Sequence, residues 1–351
     1  MQPLIDSFIE TLRDAGSRGT PLFIRGGGSK AFYGRAVPAA EFPIGDYAGL
    51  IDYSPTELVV SARAGTPLTA LEAVLAQENQ MLAFEPPHFG PDATLGGAIA
   101  CGLSGPRRPY AGAVRDHVLG ITCLNGSGRQ LRFGGQVMKN VAGYDISRTL
   151  TGSLGTLAVL LDITLKVLPR PETELSLRQE TTAAEAIARF NRWAGLPLPL
   201  SAGCYHDGYL TLRLSGFEQG VKAAADKIGG DPLPDSGTFW EDLREQRLAF
   251  FDDPRPLWRL SVAPAAPPLP QEDDCLIDWG GALRWIKTGL PAAALRQSAA
   301  DNGGHATLFR NGDGNDVFHP LPAPLLALHR RLKHSFDPAG ILNPGRMYPD
   351  L

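Results

Sequence analysis

The apolar run Pro21-Leu22-Phe23-Ile24 passes straight into Arg25-Gly26-Gly27-Gly28-Ser29-Lys30, with no helix signal between them. Three consecutive glycines after a short strand give a turn without Cβ atoms, on which backbone N–H groups can converge toward an anionic ligand. A glycine triplet at a strand end can also be a plain flexible turn. Which reading holds depends on what the rest of the chain supplies.

A chain of 351 residues, 43% hydrophobic and 20% charged, is long enough for two domains with separate cores. A net charge of -4 leaves no electrostatic footprint for nucleic acid or an anionic membrane. Forty glycines and thirty prolines point to a loop-rich α/β or α+β architecture. No apolar run approaches the roughly 20 residues that span a bilayer. The start Met1-Gln2-Pro3-Leu4-Ile5-Asp6 lacks a basic-then-apolar layout, so a cytoplasmic location is expected. Cys101, Cys123, Cys204 and Cys275 are far apart with no Cys-x-x-Cys pair. They read as buried free thiols, not zinc or iron–sulfur ligands.

Periodicity predicts a helix over 4–15, a strand over 21–25, a strand over 57–65 and a helix over 67–77 with proline in its first turn. Strands at 118–124 and 128–133 flank Asn125-Gly126-Ser127-Gly128, a good hairpin turn. The apolar strand Leu157–Leu168 ends at Pro169-Arg170-Pro171, which marks the first domain boundary at about residue 170. Beyond it, helices are expected at 183–193, 219–228 and 292–302, and strands at 209–214, 257–262, 283–287 and 306–309. Ala263–Pro270 reads as a surface linker, and a last helix runs over 324–336.

A second small-residue cluster, Thr94-Leu95-Gly96-Gly97-Ala98-Ile99-Ala100-Cys101-Gly102-Leu103-Ser104-Gly105, lets a helix N-terminus approach a ligand closely. Thr94, Ser104 and free backbone amides would supply hydrogen bonds. Two separated cradles suggest one long ligand of the diphosphate dinucleotide kind. The alternative is that Gly96 and Gly97 only permit tight helix packing. Neither cluster has the Gly-x-Gly-x-x-Gly spacing of a Rossmann site.

Ile24–Ser29, Pro86-Pro87, Thr94–Gly97, Ser104-Gly105, Gly143-Tyr144-Asp145, Thr151–Gly155 and Asn343-Pro344-Gly345-Arg346 together resemble the FAD-linked oxidases of the vanillyl-alcohol oxidase and p-cresol methylhydroxylase type. The length, Tyr110–Asp116 and Phe336–Tyr348 are most similar to the smaller FAD-binding subunits of bacterial glycolate oxidases. The resemblance implies an α+β fold: a two-subdomain PCMH-type FAD-binding domain at 1–170, an α+β cap at 171–320, and a helix and tail at 321–351 returning to the flavin. It implies that Arg25, Gly26, Gly27, Gly28, Ser29 and Lys30 wrap the diphosphate. Thr94, Gly96, Gly97, Ala98, Ser104 and Gly105 would line the diphosphate and ribityl side, with Pro86 and Tyr110 in the shared motifs. Asp145, Gly155 and Ile163 would border the adenosine end, and Asn343 and Arg346 the flavin ring. A solvated C-terminal charge is the alternative for Arg346.

Members that tether FAD covalently often place His in the first loop; Ser29 and Lys30 stand there instead, so noncovalent FAD is expected. Leu154 occupies the place of a glutamate found in many relatives. In the cap, within Arg310-Asn311-Gly312-Asp313-Gly314-Asn315, Arg310 stands where hydroxy-acid dehydrogenases of the family carry the first metal-holding histidine, His319 sits two residues late for the second, and no Gly-Glu-His-Gly segment occurs. Arginine has no lone pair to offer a cation, so no cap metal is expected. Arg284, Lys287 and Arg310 could anchor a carboxylate and His305 or His319 could act as a base; the alternative for each is a surface or interface role. Ser104 lacks a Gly-x-Ser-x-Gly elbow, which argues against a serine hydrolase.

The resemblance implies a subunit of a heteromeric glycolate dehydrogenase, oxidising glycolate to glyoxylate beside a larger FAD-containing catalytic subunit. An iron–sulfur subunit would pass electrons to a quinone-type acceptor. This chain's flavin would relay electrons or be structural, and attachment to a membrane face would run through the partners. Two alternatives stand beside it: a free-standing FAD-dependent 2-hydroxy-acid oxidoreductase using Arg310 and His319, and a degenerate scaffold without FAD.

Overall fold

A computed structural model describes residues 1–135, 145–271 and 274–351. Its first sheet has five antiparallel strands in the order Leu50–Ser54, Val59–Arg63, Val159–Lys166, Val118–Leu124, Gln130–Gly134. The predicted hairpin is present: Asn125 Oδ1 accepts the Ser127 and Arg129 amides, and Gly128 takes φ 67° in the turn. Val159–Lys166 is apolar on both faces because both are covered. Val159 and Leu161 pack with Phe8 and Leu12 of the amphipathic helix Gln2–Arg18. Leu160, Ile163 and Leu165 pack with Leu68, Leu71 and Leu75 of helix Leu68–Gln77, and with Leu95 and Ile99 of helix Leu95–Cys101.

Leu22–Arg25 pairs in parallel with Ala40–Pro43. The chain's end lies along it: Leu22 N–H donates to Ile341 O at 2.8 Å, and Asn343 N–H donates to Leu22 O at 3.0 Å. Lys333, in helix Ala323–Phe336, locks this return, its buried Nζ donating to Thr156 O, Leu342 O and the Asp337 carboxylate.

After Leu168–Pro169, which pairs with Gln80–Met81, the chain enters an eight-stranded antiparallel sheet. Its order is Asp231–Pro232, Thr173–Glu180, Tyr209–Gly216, Leu200–His206, Cys275–Asp278, Leu283–Lys287, Leu257–Ser261, His305–Arg310. The strands Thr173–Glu180, Leu200–His206 and Cys275–Asp278 and the helix Ser236–Glu245 were not foreseen from the sequence. Ala263–Pro270 is no plain surface linker, because Ala266 and Leu269 are buried in the core and Ala266 O accepts from Arg284 Nη2. No disulfide joins the cysteines; Cys123 and Cys204 are buried, whereas Cys101 and Cys275 are partly exposed.

Polar ties fasten the sheets together. Glu85 accepts from Arg107 at 3.1 Å and from Arg213 of the larger sheet at 2.7 Å, while Arg107 also pairs with Glu174. Glu245 accepts the His88 amide at 3.1 Å and the Phe89 amide at 2.7 Å. Burial alone would raise the Glu245 pKa, but the Phe89 amide, Arg244 and the His88 amide together hold it below the ordinary value.

Candidate functional site

The turn after Leu22–Arg25 forms one wall of a cleft of about 770 Å³ that is open to solvent on one side. The cleft is lined by Arg25 through Lys30, Thr94, Gly96, Gly97, Cys101, Leu154, Gly155, Asn343 and Arg346, with Ile44, Ala64, Ala158 and Leu160 as apolar floor. Among the described residues, no protein acceptor takes the amides of Gly26, Gly27, Gly28, Ser29 or Lys30. The glycines are demanded by packing: a Cβ on Gly27 would stand 1.4 Å from Asp92 O, and one on Gly26 would stand 2.5 Å from Thr94 Oγ1. Gly28 has φ 78°, where an L side chain is strained.

Lys30 is buried beneath this turn, its Nζ donating to His88 O at 3.1 Å, and Ser29 Oγ donates to the same carbonyl at 2.7 Å. Burial lowers the Lys30 pKa, with Cys101 and Glu245 opposing, and burial raises the Cys101 thiol. The Glu245 tie therefore reaches the glycine turn through residues 88–89.

The helix Leu95–Cys101 contributes differently from expectation. Its first amides are already taken: Leu95 N–H by Thr66 O, Gly96 N–H by Ala64 O and Gly97 N–H by Thr94 Oγ1. A Cβ on Gly96 would lie 2.7 Å from that of Ala64, so close packing accounts for this glycine, although it also borders the cleft.

The C-terminal residues reach the cleft as ties. Asn343 Oδ1 accepts Ile24 N–H at 2.7 Å and its Nδ2 donates to Leu154 O at 2.6 Å. Arg346 spends three hydrogen bonds of 2.7–2.8 Å on the carbonyls of Ala31, Tyr33 and Arg35. Its guanidinium thus fastens the loop after the turn while lining the cleft.

Seven expected residues do not line the cleft. Ala98 and Ile163 point into the core beneath it. Pro86 is buried away from it, and Tyr110 packs in the larger sheet's cluster, its phenol pushed up to about 12 by burial and then Asp278. Asp145 is exposed, capping helix Ile146–Leu150 and pairing with Arg148 at 2.8 Å. Gly143 and Tyr144 of the same motif lie outside the described residues. Ser104 Oγ accepts Val114 N–H, and Gly105 O accepts Trp279 Nε1–H. Both border a separate chamber between the sheets.

Ser29 also edges a second, more open cleft with Phe32, Phe89 and Arg310. The Arg310 guanidinium lies 4.2 Å from the Phe32 ring centre and 4.6 Å from that of Phe89, and its buried Nε has no partner among the described residues. The other proposed anchors sit elsewhere: Arg284 is in the interior, and Lys287 pairs with Asp274 at 3.1 Å. His319 Nδ1 accepts the Ala306 amide at 3.3 Å, off this cleft, and burial lowers the pKa of both His319 and His305. Among the described residues, no group of three or more His, Cys, Asp or Glu comes together to hold a metal, and no helix is long and apolar enough to cross a membrane.

A dinucleotide fits the first cleft. Five unengaged amides beside a buried lysine suit a diphosphate, and the apolar floor suits a ring system.

The FAD binding domain family matches residues 5–134, and the C-terminal domain of FAD linked oxidases matches residues 321–347. Glycolate oxidase subunit GlcE of Escherichia coli (strain K12) is 50% identical over 345 residues, 98% of this chain and 97% of that one. A D-lactate dehydrogenase of Archaeoglobus fulgidus is 35% identical over 167 residues, covering 45% of this chain and 36% of its own. A solved alkyldihydroxyacetonephosphate synthase has the same fold, with a TM-score of 0.65 at 14% identity over 96% of this chain and 73% of that one.

Proposed function

We propose, from the premise that this chain belongs to the glycolate oxidase subunit GlcE family of FAD-linked oxidases, that it is the FAD-carrying subunit of a multi-subunit enzyme oxidising glycolate to glyoxylate. FAD is its cofactor and its chemistry is that of an FAD-dependent oxidoreductase. Bound FAD supplies an acceptor for the electron pair leaving a CH–OH group. The observation that carries the site assignment is the row of unengaged amides from Gly26 to Lys30 along the cleft.

In this reading those amides and the Lys30 ammonium hold the diphosphate without a covalent link. Thr94 and Gly97 border it, while Gly155, Asn343 and Arg346 fix the opposite wall. Because Arg346 already serves three carbonyls, its effect on the flavin is chiefly to position the 31–35 loop.

Arg310, stacked on Phe32 and Phe89 where the resemblance puts a metal-holding histidine, supports a relay or structural role for this subunit's flavin. A larger FAD-containing partner would then carry the main substrate site, and an iron–sulfur partner would pass electrons to a quinone-type acceptor. The chain itself would lie in the cytoplasm, meeting the membrane through those partners.

The test is to purify the tagged full chain, count flavin per subunit after acid release, and identify attached chains. The expected result is yellow protein with acid-releasable FAD and two co-purifying partners, which glycolate bleaches anaerobically only when they are present. A homomeric protein bleached by glycolate alone would overturn the subunit reading.

A further inference from the structure

The open cleft beside Arg310, about 1010 Å³ including its mouth, shares only Ser29 with the FAD cleft. Its walls are the rings of Phe32, Phe89 and Phe309, and Phe32 stays 38% exposed at the edge. Two distant stretches of chain build it jointly: Phe32 follows the glycine turn, whereas Arg310 ends the outermost strand of the larger sheet, His305–Arg310. Among the described residues no carboxylate lines it.

Arg310 is only half engaged there. Its guanidinium rests on the rings of Phe32 and Phe89, 4.2 and 4.6 Å from their centres. Those contacts engage the charge but leave the five in-plane N–H groups without an acceptor. Among the described residues none of these groups has a hydrogen-bond or ion-pair partner, and Nε is buried. Burial lowers the Arg310 pKa and Glu245 opposes, yet the Glu245 oxygens are already taken by the His88 and Phe89 amides and by Arg244. A half-buried arginine held between two rings without a counter-charge is one side of an ion pair.

The missing side has a defined chemistry. A guanidinium fork held in place selects a carboxylate, and the rings around it reward an apolar stem behind that carboxylate. The exposed rim from Asn311 to Asp316 carries Asp313 and Asp316, so whatever enters must turn its negative charge inward and keep polar or basic groups at the rim. A wide mouth with an exposed aromatic ring beside an arginine suits a segment of another chain, since these residue types carry most of the binding energy at protein interfaces.

We propose that this cleft is a docking site for a partner subunit, which sets an Asp or Glu side chain from an apolar segment against Arg310 and covers Phe32. The proposal rests on the subunit reading of this chain. Ser29 belongs to both clefts, so the docked segment lies beside the glycine turn that receives FAD.

The test uses the full chain co-expressed with its partners and purified as the complex. A benzophenone side chain placed at Phe32 is expected to cross-link to a partner peptide containing Asp or Glu, read by mass spectrometry. Arg310→Glu is expected to raise the dissociation constant of the complex tenfold or more, with FAD content and circular dichroism unchanged. Arginine in place of the cross-linked partner acid is expected to restore most of that loss, which a merely structural role for Arg310 would not allow. The cross-link decides the matter even if Arg310→Glu fails to fold. A complex equally tight with Arg310→Glu, or a Phe32 cross-link that stays within this chain, would overturn the proposal. So would saturable binding of glycolate to the free chain that Arg310→Met abolishes, which would give the cleft to a small acid. If the unaltered chain brings down no partner, the subunit reading fails and takes this proposal with it; a stable complex indifferent to Arg310 overturns the docking site alone.

Discussion

Asn343 is the point where the chain's two ends and the cleft wall meet, and its side chain can be altered one atom at a time. Replacing it with Leu keeps the volume but strands Ile24 N–H and Leu154 C=O, now satisfied at 2.7 and 2.6 Å. Each stranded buried group costs about 1–3 kcal/mol, at the low end for half-buried Ile24. Leucine at φ 41° adds roughly 1 kcal/mol that Asn largely escapes. The expected loss is therefore about 3 kcal/mol, together with most of the bound FAD, because Ile24 leads into the glycine turn and Leu154 lines the opposite wall. Asn343→Asp is the sharper perturbation. It keeps the acceptor for Ile24 but turns a carboxylate oxygen toward Leu154 O, and only protonation restores a donor there. The Asp pKa in the folded state must rise above its unfolded value, so the variant gains stability as pH falls through that raised pKa. Urea unfolding followed by circular dichroism, at neutral pH and at about pH 5, measures both effects. If the Asp variant matched the parent at neutral pH and kept its flavin, the cross-tie would carry no weight and the reasoning would fail.

Three further outcomes are expected. Gly27→Ala must displace the turn, its Cβ otherwise 1.4 Å from Asp92 O, so the ratio of flavin to protein absorbance should collapse at a folding cost of roughly 1–3 kcal/mol. Glu245, held below the ordinary 4.5, contributes stability that is present above that value and lost as pH falls through its lower folded pKa; Glu245→Gln should be less stable at neutral pH, with a flatter acid limb in thermal melts. Asp278 has the opposite sign: raised from 3.8 to about 7, it gives a contribution present below the unfolded value and lost as pH rises through 7. Asp278→Asn keeps an acceptor for Trp279 N–H and should exceed the parent above pH 7 by up to roughly 4 kcal/mol; an advantage independent of pH would refute this.

What could be read from the sequence was whatever rests on local backbone chemistry. The glycine turn and Thr94 were read from backbone chemistry, Gly155, Asn343 and Arg346 from the family resemblance, and all of them border one cleft. Side-chain direction was harder. In Gly96-Gly97-Ala98 two residues face the cleft and the third the core, a rotation set by where helix Leu95–Cys101 lands on the sheet. The fate of that helix's first amides was equally hidden, since Ala64 and Thr66, which accept two of them, lie some thirty residues earlier in the sequence. The larger sheet misled for another reason. Thr173–Glu180 buries Leu177 amid charged residues, so alternation survives in only a few positions, and Ala263–Pro270 has a linker's composition while burying Ala266 and Leu269.

The second sheet is more than a lid over the first. Glu245 takes the amides of His88 and Phe89, and His88 O in turn takes Ser29 Oγ and Lys30 Nζ, so one line of hydrogen bonds runs from a cap helix to the glycine turn. The turn's own amides cannot hold it in place while they remain free for an anion; something outside it has to. Strand Leu22–Arg25 fixes one end, and this line fixes the other. Phe89 and Phe309 border both the open cleft beside Arg310 and the chamber beside Ser104, so a shift of the cap would deform both spaces and drag on the turn through residues 88–89. That line of hydrogen bonds gives the second sheet a physical role: holding the turn rigid while its donors stay unspent.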